Sequence, residues 1–281
     1  MARYVLRLSC SDGPGIIHAV TTALLDHRAN IVEQEQFSDS ATGQFFSRTV
    51  LDSDDPTVTT VTGTIANTLA NFQPDVTIRP LARRHRALVL VSQYDHCLVD
   101  LLYRRSLDEL PLDVVAVVSN HETCRELTER QDVPFFYWPT VDVDKAEHEA
   151  RVRALINETG ADLVILARYM QILSPQFCQN FAGRVVNIHH SLLPGFKGAR
   201  PYHQAHARGV KLIGATAHFV TAELDEGPII AQHVVPVTHE NDVDDFIALG
   251  RDVERLTLAR AVKLLAEDRV FLNGDRTVIL G

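Results

Sequence analysis

The chain has 281 residues, 46% of them apolar and 22% charged, with a formal net charge of -9 at pH 7. That is material for two compact units with ordinary cores, and the acidic balance argues against a protein that grips nucleic acid or an anionic membrane surface, which needs a basic excess. No run of about 20 apolar residues is present to cross a membrane. Cys10, Cys97, Cys124 and Cys178 are scattered without a C-x-x-C pair, so the expected setting is a reducing cytoplasm.

From the N-terminus, RYVLRLSC alternates as a half-buried strand does, and SDGPG is a turn. IIHAVTTALLDHRA spaces Ile16, Val20, Leu24 and Leu25 with helical periodicity. NIVEQEQFSD and QFFSRTVLDS alternate around the turn SATG. The stretch 57–72 predicts a helix in spite of its threonines, and DVTIRP (75–80) predicts a closing strand. The order β-α-β-β-α-β over residues 1–80 is the split βαβ, ferredoxin-like pattern. RPLARRHR follows as a basic stretch, which sets a linker at 81–86.

From residue 87 the rhythm changes. ALVLVS, DVVAVVS, ADLVILA and RVVNIH are short apolar runs rich in β-branched residues, separated by the helical stretches LVDLLYRRSL, ETCRELTERQ and KAEHEARVRALINETG. Ser174 and Pro175 open a further helix as N-cap and first-turn proline. Apolar strands alternating with helices predict a Rossmann-like, mostly parallel α/β sheet in a domain over 87–281. Ligands bind such sheets at the carboxyl ends of the strands, where Ser92, Asn120, Arg168 to Leu173, and Asn187 to His190 fall.

Asn187 and His189 stand two apart at the end of RVVNIH, so both leave one face of the strand while Val186 and Ile188 turn into the packing. LIGATAHFV is another strand, bearing His218, and TAELDEGPI presents Asp225 in a turn shaped by Gly227 and Pro228. An amide, an imidazole and a carboxylate at one sheet edge suit a reaction at a carbonyl. Asn187 can donate to a developing oxyanion. A protonated His189 can add charge or give a proton, and Asp225 can support His189 and accept a proton from the nucleophile. The crowded histidines admit three readings: metal ligands, acid–base catalysts, or walls of a polar pocket. His203 and His206 form an i, i+3 pair without the H-E-x-x-H pattern or an adjacent carboxylate, so no metal is expected. No Gly-x-Ser-x-Gly elbow occurs, which argues against a covalent acyl-enzyme. His96 and Cys97 adjoin on a helix and are not expected to face each other.

NIHHSLLP followed by ELDEGPI resembles the folate-dependent formyltransferase family, which carries Asn, His and Asp in that order. The resemblance covers residues from about 86 to 281 and assigns the catalytic set to Asn187, His189 and Asp225. ILARYMQIL resembles the segment that lines the folate pocket. That implies substrate contacts for Arg168, Tyr169, Met170, Gln171, Ile172 and Leu173, with His190 and His218 on the wall and Lys197 meeting the glutamate tail. DGPGIIHAVTTALLDHRANI is similar to ACT domains. This implies an amino-acid effector held by Asp12, Gly13, Gly15 and Asn30, and assembly as a dimer or tetramer.

The two resemblances together imply a hydrolase acting on 10-formyltetrahydrofolate. It would yield formate and tetrahydrofolate, supply formate for purine synthesis and balance one-carbon pools, with no cofactor beyond the folate substrate. Family members that use a phosphorylated amine hold its phosphate in a Gly-rich turn after the first strand. LVLVSQYDHCLVDLL has no glycine and puts Asp95 there, so water is the expected acceptor. The alternatives are transfer to an unphosphorylated amine, and a non-catalytic folate and amino-acid sensor. A sensor needs none of Asn187, His189 and Asp225. The basic C-terminal domain of the relatives that act on tRNA is not expected.

Overall fold

In the computed structural model, which describes residues 1–195 and 200–281, the alternation of RYVLRLSC becomes β1 (Ala2–Ser11). Leu6, Leu8 and Cys10 turn one way, into the core formed with α1 (Ile16–Asp26). β2 (Asn30–Asp39) and β3 (Gln44–Ser53) follow, then α2 (Val61–Thr68) and β4 (Asp75–Pro80). The sheet has the order β2-β3-β1-β4 and is antiparallel throughout. Helix α2 is shorter than the expected 57–72, because a 3-10 turn flanks it on each side. Threonine hydroxyls bond local carbonyls there, Thr60 to Thr57 at 2.7 Å and Thr68 to Thr64 at 2.9 Å, which competes with a regular helical ladder.

The second unit, 85–266, opens on β5 (His85–Val91), α3 (His96–Ser106), β6 (Leu112–Ser119), α4 (Arg125–Glu129) and β7 (Phe135–Tyr137). It continues through α5 (Lys145–Thr159), β8 (Leu163–Ala167), α6 (Pro175–Asn180), β9 (Val185–His189), α7 (Pro201–Arg208), β10 (Leu212–Phe219), β11 (Ile229–Pro236) and α8 (Val243–Ala266). The sheet order is β11-β10-β9-β8-β5-β6-β7, parallel from β9 to β7, with β10 and β11 antiparallel at one edge. Ala87 to Val91 are wholly buried, which explains the unbroken apolar run: a central parallel strand has no solvent face. Asp144 caps α5 by accepting from the amides of Ala146 and Glu147, and Ser174 caps α6 by accepting from that of Phe177. The linker is shorter than the 81–86 expected. His85 and Arg86 already belong to β5, and the Arg86 amide donates to Asp162 at 2.9 Å.

The sequence boundary also moves at the other end. Residues 267–281 group with residues 1–84, not with the α/β unit. Their hairpin, β12 (Val270–Asn273) and β13 (Arg276–Ile279), covers the side of the first sheet that carries Arg7 and Phe46. The Phe46 and Phe271 rings lie 5.7 Å apart, the Arg7 guanidinium sits 4.4 Å over Phe271, and Arg7 donates to the Val270 carbonyl at 2.6 Å. Arg79 pairs with Asp268, and Asn273 donates to Asp39. Among the described residues no helix is long and apolar enough to cross a membrane.

Candidate active site

In the α/β sheet the strand order reverses between β5 and β8, and a crevice opens at such a switch point. A cavity of about 580 Å³ lies there, lined from the ends of β8, β9 and β10 and from α3, α7 and α8. Ser92, just past β5, ties down the segment that follows β8. Its amide donates to the Arg168 carbonyl at 3.3 Å, and its hydroxyl accepts from the Met170 amide at 3.0 Å. Arg168 makes the turn with φ 62°, and Met170 and Ile172, 55% and 63% exposed, remain open on the cavity wall.

Asn187 and His218 are opposite one another in the β9–β10 register, so their side chains share a face. Asn187 Nδ2 lies 3.3 Å from His218 Nε2. The other imidazole nitrogen, Nδ1, faces the Phe219 carbonyl at 2.8 Å. A carbonyl only accepts, so Nδ1 carries the proton and Nε2 of the neutral ring accepts from Asn187. Burial lowers the His218 pKa and favours that neutral form. One N–H of Asn187 is thereby committed, and its amide orientation is fixed with the second N–H left over.

His189 Nδ1 meets Asp225 Oδ1 at 3.2 Å, while its Nε2 is buried with no hydrogen-bond partner among the described residues. Burial alone would raise the Asp225 pKa. The His189 hydrogen bond and the His189 charge outweigh it, holding the carboxyl below its usual range. Asp225 adopts φ 58° in a turn where a side chain on Gly227 would overlap the Phe219 carbonyl. Glycine at 227 lets that turn close against β10. His190 is pushed down to about 4, by burial first and then by the Arg168 charge.

Behind these groups lies a network the sequence reading missed. Glu254, on α8 and 1% exposed, accepts from Tyr202 at 2.6 Å, meets His96 Nε2 at 2.8 Å and lies 3.2 Å from Arg168 Nε. The Arg168 contact is an ion pair whose Nε–H is not aligned as a hydrogen bond. Burial would raise the Glu254 pKa, but the His96 bond and the Arg168 charge bring it below the ordinary value. At Gly250, one turn earlier, a side chain would overlap the Tyr202 ring, so the glycine lets Tyr202 reach Glu254. The signal was present: Gly250, Glu254, Thr257, Leu258 and Ala261 follow helical spacing, and a carboxylate inside such an apolar stripe calls for buried partners. Tyr94 also lines the cavity, with the guanidinium carbons of Arg168 and Arg251 at 5.4 Å and 5.7 Å from its ring.

Of the residues expected from sequence, Asn187, His189 and Asp225 meet at one wall of the cavity, and Arg168 to Leu173, His190 and His218 line it. Lys197 lies outside the described residues. Asn120 is not among the lining residues and instead donates to Thr140 at 3.5 Å. His203 lines the cavity, whereas the His206 ring packs on Phe246 at 5.3 Å. Among the described residues one group has metal-ligand proximity, His96, Cys97 and Glu254. Contrary to the expectation for helix neighbours, His96 and Cys97 do converge there. The buried Cys97 thiol is pushed well up in pKa, and Glu254 already serves three partners, so the group fits a satisfied network better than a cation site. In the first unit, Asp12, Gly15 and Asn30 are exposed, and Gly15 precedes α1 with φ 94°. Gly13 faces Phe72, whose ring fills the place of a side chain; packing therefore explains that glycine without a ligand.

Residues 85–262 match the family model described as formyl transferase, so the α/β unit and its cavity are of the formyl transferase class. A formyltetrahydrofolate deformylase from Corynebacterium sp. (strain P-1) is 46% identical over 99% of this chain and 98% of its own length. One from Escherichia coli (strain K12) is 42% identical over 100% and 99%. The crystal structure of formyltetrahydrofolate deformylase from Burkholderia mallei ATCC 23344 matches with a TM-score of 0.95 and 48% identity over 100% of both chains. Glycinamide ribonucleotide transformylase 1 from Symbiobacterium toebii matches 70% of this chain and 94% of its own, with a TM-score of 0.67 and 34% identity. The chain belongs to the formyltetrahydrofolate deformylase family.

Proposed function

We propose that the chain hydrolyses 10-formyltetrahydrofolate to formate and tetrahydrofolate. The observation that carries this reading is the buried Nε2 of His189, unpartnered among the described residues, backed by Asp225 and set beside an Asn187 amide with one N–H not used by them. Water adds to the formyl carbon. The second N–H of Asn187 and Nε2–H of His189 donate to the oxygen as it becomes an oxyanion, and Asp225 offsets the charge on the ring. Asp225, an anion at neutral pH, accepts the proton that water loses. When the intermediate collapses, the C–N10 bond breaks, that proton goes to N10, and formic acid leaves, giving up its own proton to solvent as formate. The wall from Arg168 to Leu173, with His190 and His218, supports the folate, and Lys197 is proposed for the glutamate tail. Water is favoured as acceptor because the turn after β5 has no glycine and sends Tyr94 and His96 to the cavity, leaving no backbone cradle for a phosphate. No cofactor takes part, and the setting is the cytoplasm, where the formate feeds purine synthesis. Incubating the full chain with 10-formyltetrahydrofolate and assaying formate, with and without amine acceptors, tests the reading. Formylated amine in place of formate would overturn it.

We further propose that the first unit is an ACT domain that assembles the chain into a homo-oligomer and takes a small amino acid. The βαββαβ order, the exposed Asp12 and Gly15 before α1, and the exposed Asn30 support this. The ligand carboxylate would face the amides at the start of α1, and Asn30 its ammonium. Titration with the common amino acids should shift rate or melting temperature; no shift would leave an assembly module only.

A further inference from the structure

We propose that His148 and Glu149, successive residues on α5, are positioning residues for the wall of the cavity at 168–174; what the wall holds rests on the deformylase reading. The two side chains secure different parts of one segment. His148 Nε2 meets the Tyr169 hydroxyl at 2.7 Å, with both residues buried. Glu149 Oε1 accepts from the Ser174 amide at 2.6 Å, and Oε2 accepts from the Ser174 hydroxyl. Ser92 holds the Met170 amide between them. Tyr169 is buried where its hydroxyl meets His148, while Met170 and Ile172 stay open on the cavity side.

The His148 ring carries an unmet cost. Its Nδ1 is buried with no hydrogen-bond partner among the described residues, although Trp138 stands edge-on at 6.2 Å and the Tyr169 ring lies nearly parallel at 6.5 Å. A buried polar atom left unsatisfied destabilises a fold, and two phenyl rings would fill the same space without it. A polar pair kept there at the expense of stability is explained by what it holds in place. Glu149 follows the same logic: a buried carboxylate is costly unless its bonds fix something, and here they fix the end of the wall.

The decisive variant is His148→Phe with Tyr169→Phe, which removes both partners and leaves no unmet nitrogen. Its melting temperature should stay level or rise, while KM for 10-formyltetrahydrofolate rises about fivefold, as for one lost hydrogen bond. Glu149→Ala should raise KM likewise. Glu149→Gln, which can still accept from the Ser174 amide and donate to its hydroxyl, should restore it. Hydrogen exchange at the amides of 170–173 in the free protein reads the wall without substrate, and it should quicken in Glu149→Ala and not in Glu149→Gln. Unchanged exchange together with unchanged KM, or a KM that moves only as far as the melting temperature falls, overturns the proposal. If the parent protein forms no formate, the deformylase reading fails by itself, and the exchange result still decides the role of the pair.

Discussion

Replacing Glu254 by Gln removes the charge that Arg168 faces from 3.2 Å. At an effective dielectric of about 20, two unit charges at that distance attract by about 5 kcal/mol. Glutamine keeps the volume and can still accept from Tyr202, but Arg168, whose side chain is 10% exposed, loses that counter-charge, and breaking a largely buried pair in this way costs about 3–5 kcal/mol. A loss near the lower figure, about 3 kcal/mol, is expected for the isosteric change. For a unit of this size it lowers the melting temperature by roughly 6–12 °C. The sole tryptophan, Trp138, lies in the same unit, so its fluorescence in a urea titration follows this unit. Arg168→Gln should be destabilising too, and the double variant should lose less than the sum by about 2 kcal/mol, well beyond the roughly 0.5 kcal/mol scatter of independent sites. Additive losses, or a loss under about 1 kcal/mol for Glu254→Gln, would refute the argument that Glu254 is the counter-charge of the site.

Asp225→Asn should lower kcat by about 10²-fold or more, the range for proton-handling groups, with folate affinity retained in equilibrium binding; a near-native rate would remove Asp225 from the mechanism. Gly227→Ala should push the Phe219 carbonyl, and with it His218 and the Asn187 amide. A displacement of that kind costs up to about 10²-fold in kcat, which rate measurements on a variant shown by circular dichroism to be folded would reveal. His190, at about 4 in the folded state against an ordinary 6.5, binds its proton more readily in the unfolded chain. Stability is therefore complete above pH 6.5 and falls between pH 6.5 and 4, by at most about 3 kcal/mol. His190→Leu should flatten that part of the urea-derived profile.

Much of the site was legible because it rides on strands whose signal is local. RVVNIH is apolar except at Asn187 and His189, so polar residues at the carboxyl end of a buried strand stand out. Ser174–Pro175 likewise announces a helix start. Glu254 was hidden because its partners come from α3, α7 and the turn after β8, far off in sequence, although the helix stripe carried a hint. Strand β7 has three residues, too few for a period. The β12–β13 hairpin joins the first sheet through Phe271 on Phe46, a contact across the whole chain that no local pattern encodes. Threonine-rich α2 was over-extended because hydroxyl-to-carbonyl bonds close it early.

The return of residues 267–281 to the first unit also sets a timetable for synthesis. Residues 1–84 leave the ribosome first, but Arg7 and Phe46 lack the cover of Phe271 until the hairpin emerges. Between the two comes the stretch 85–266, which at about 5–20 residues per second takes on the order of tens of seconds to translate. The α/β unit is complete in sequence before the older unit is. A nascent chain halted short of residue 267 would therefore carry Phe46 without that cover, the kind of surface that chaperones or a neighbouring nascent chain bind.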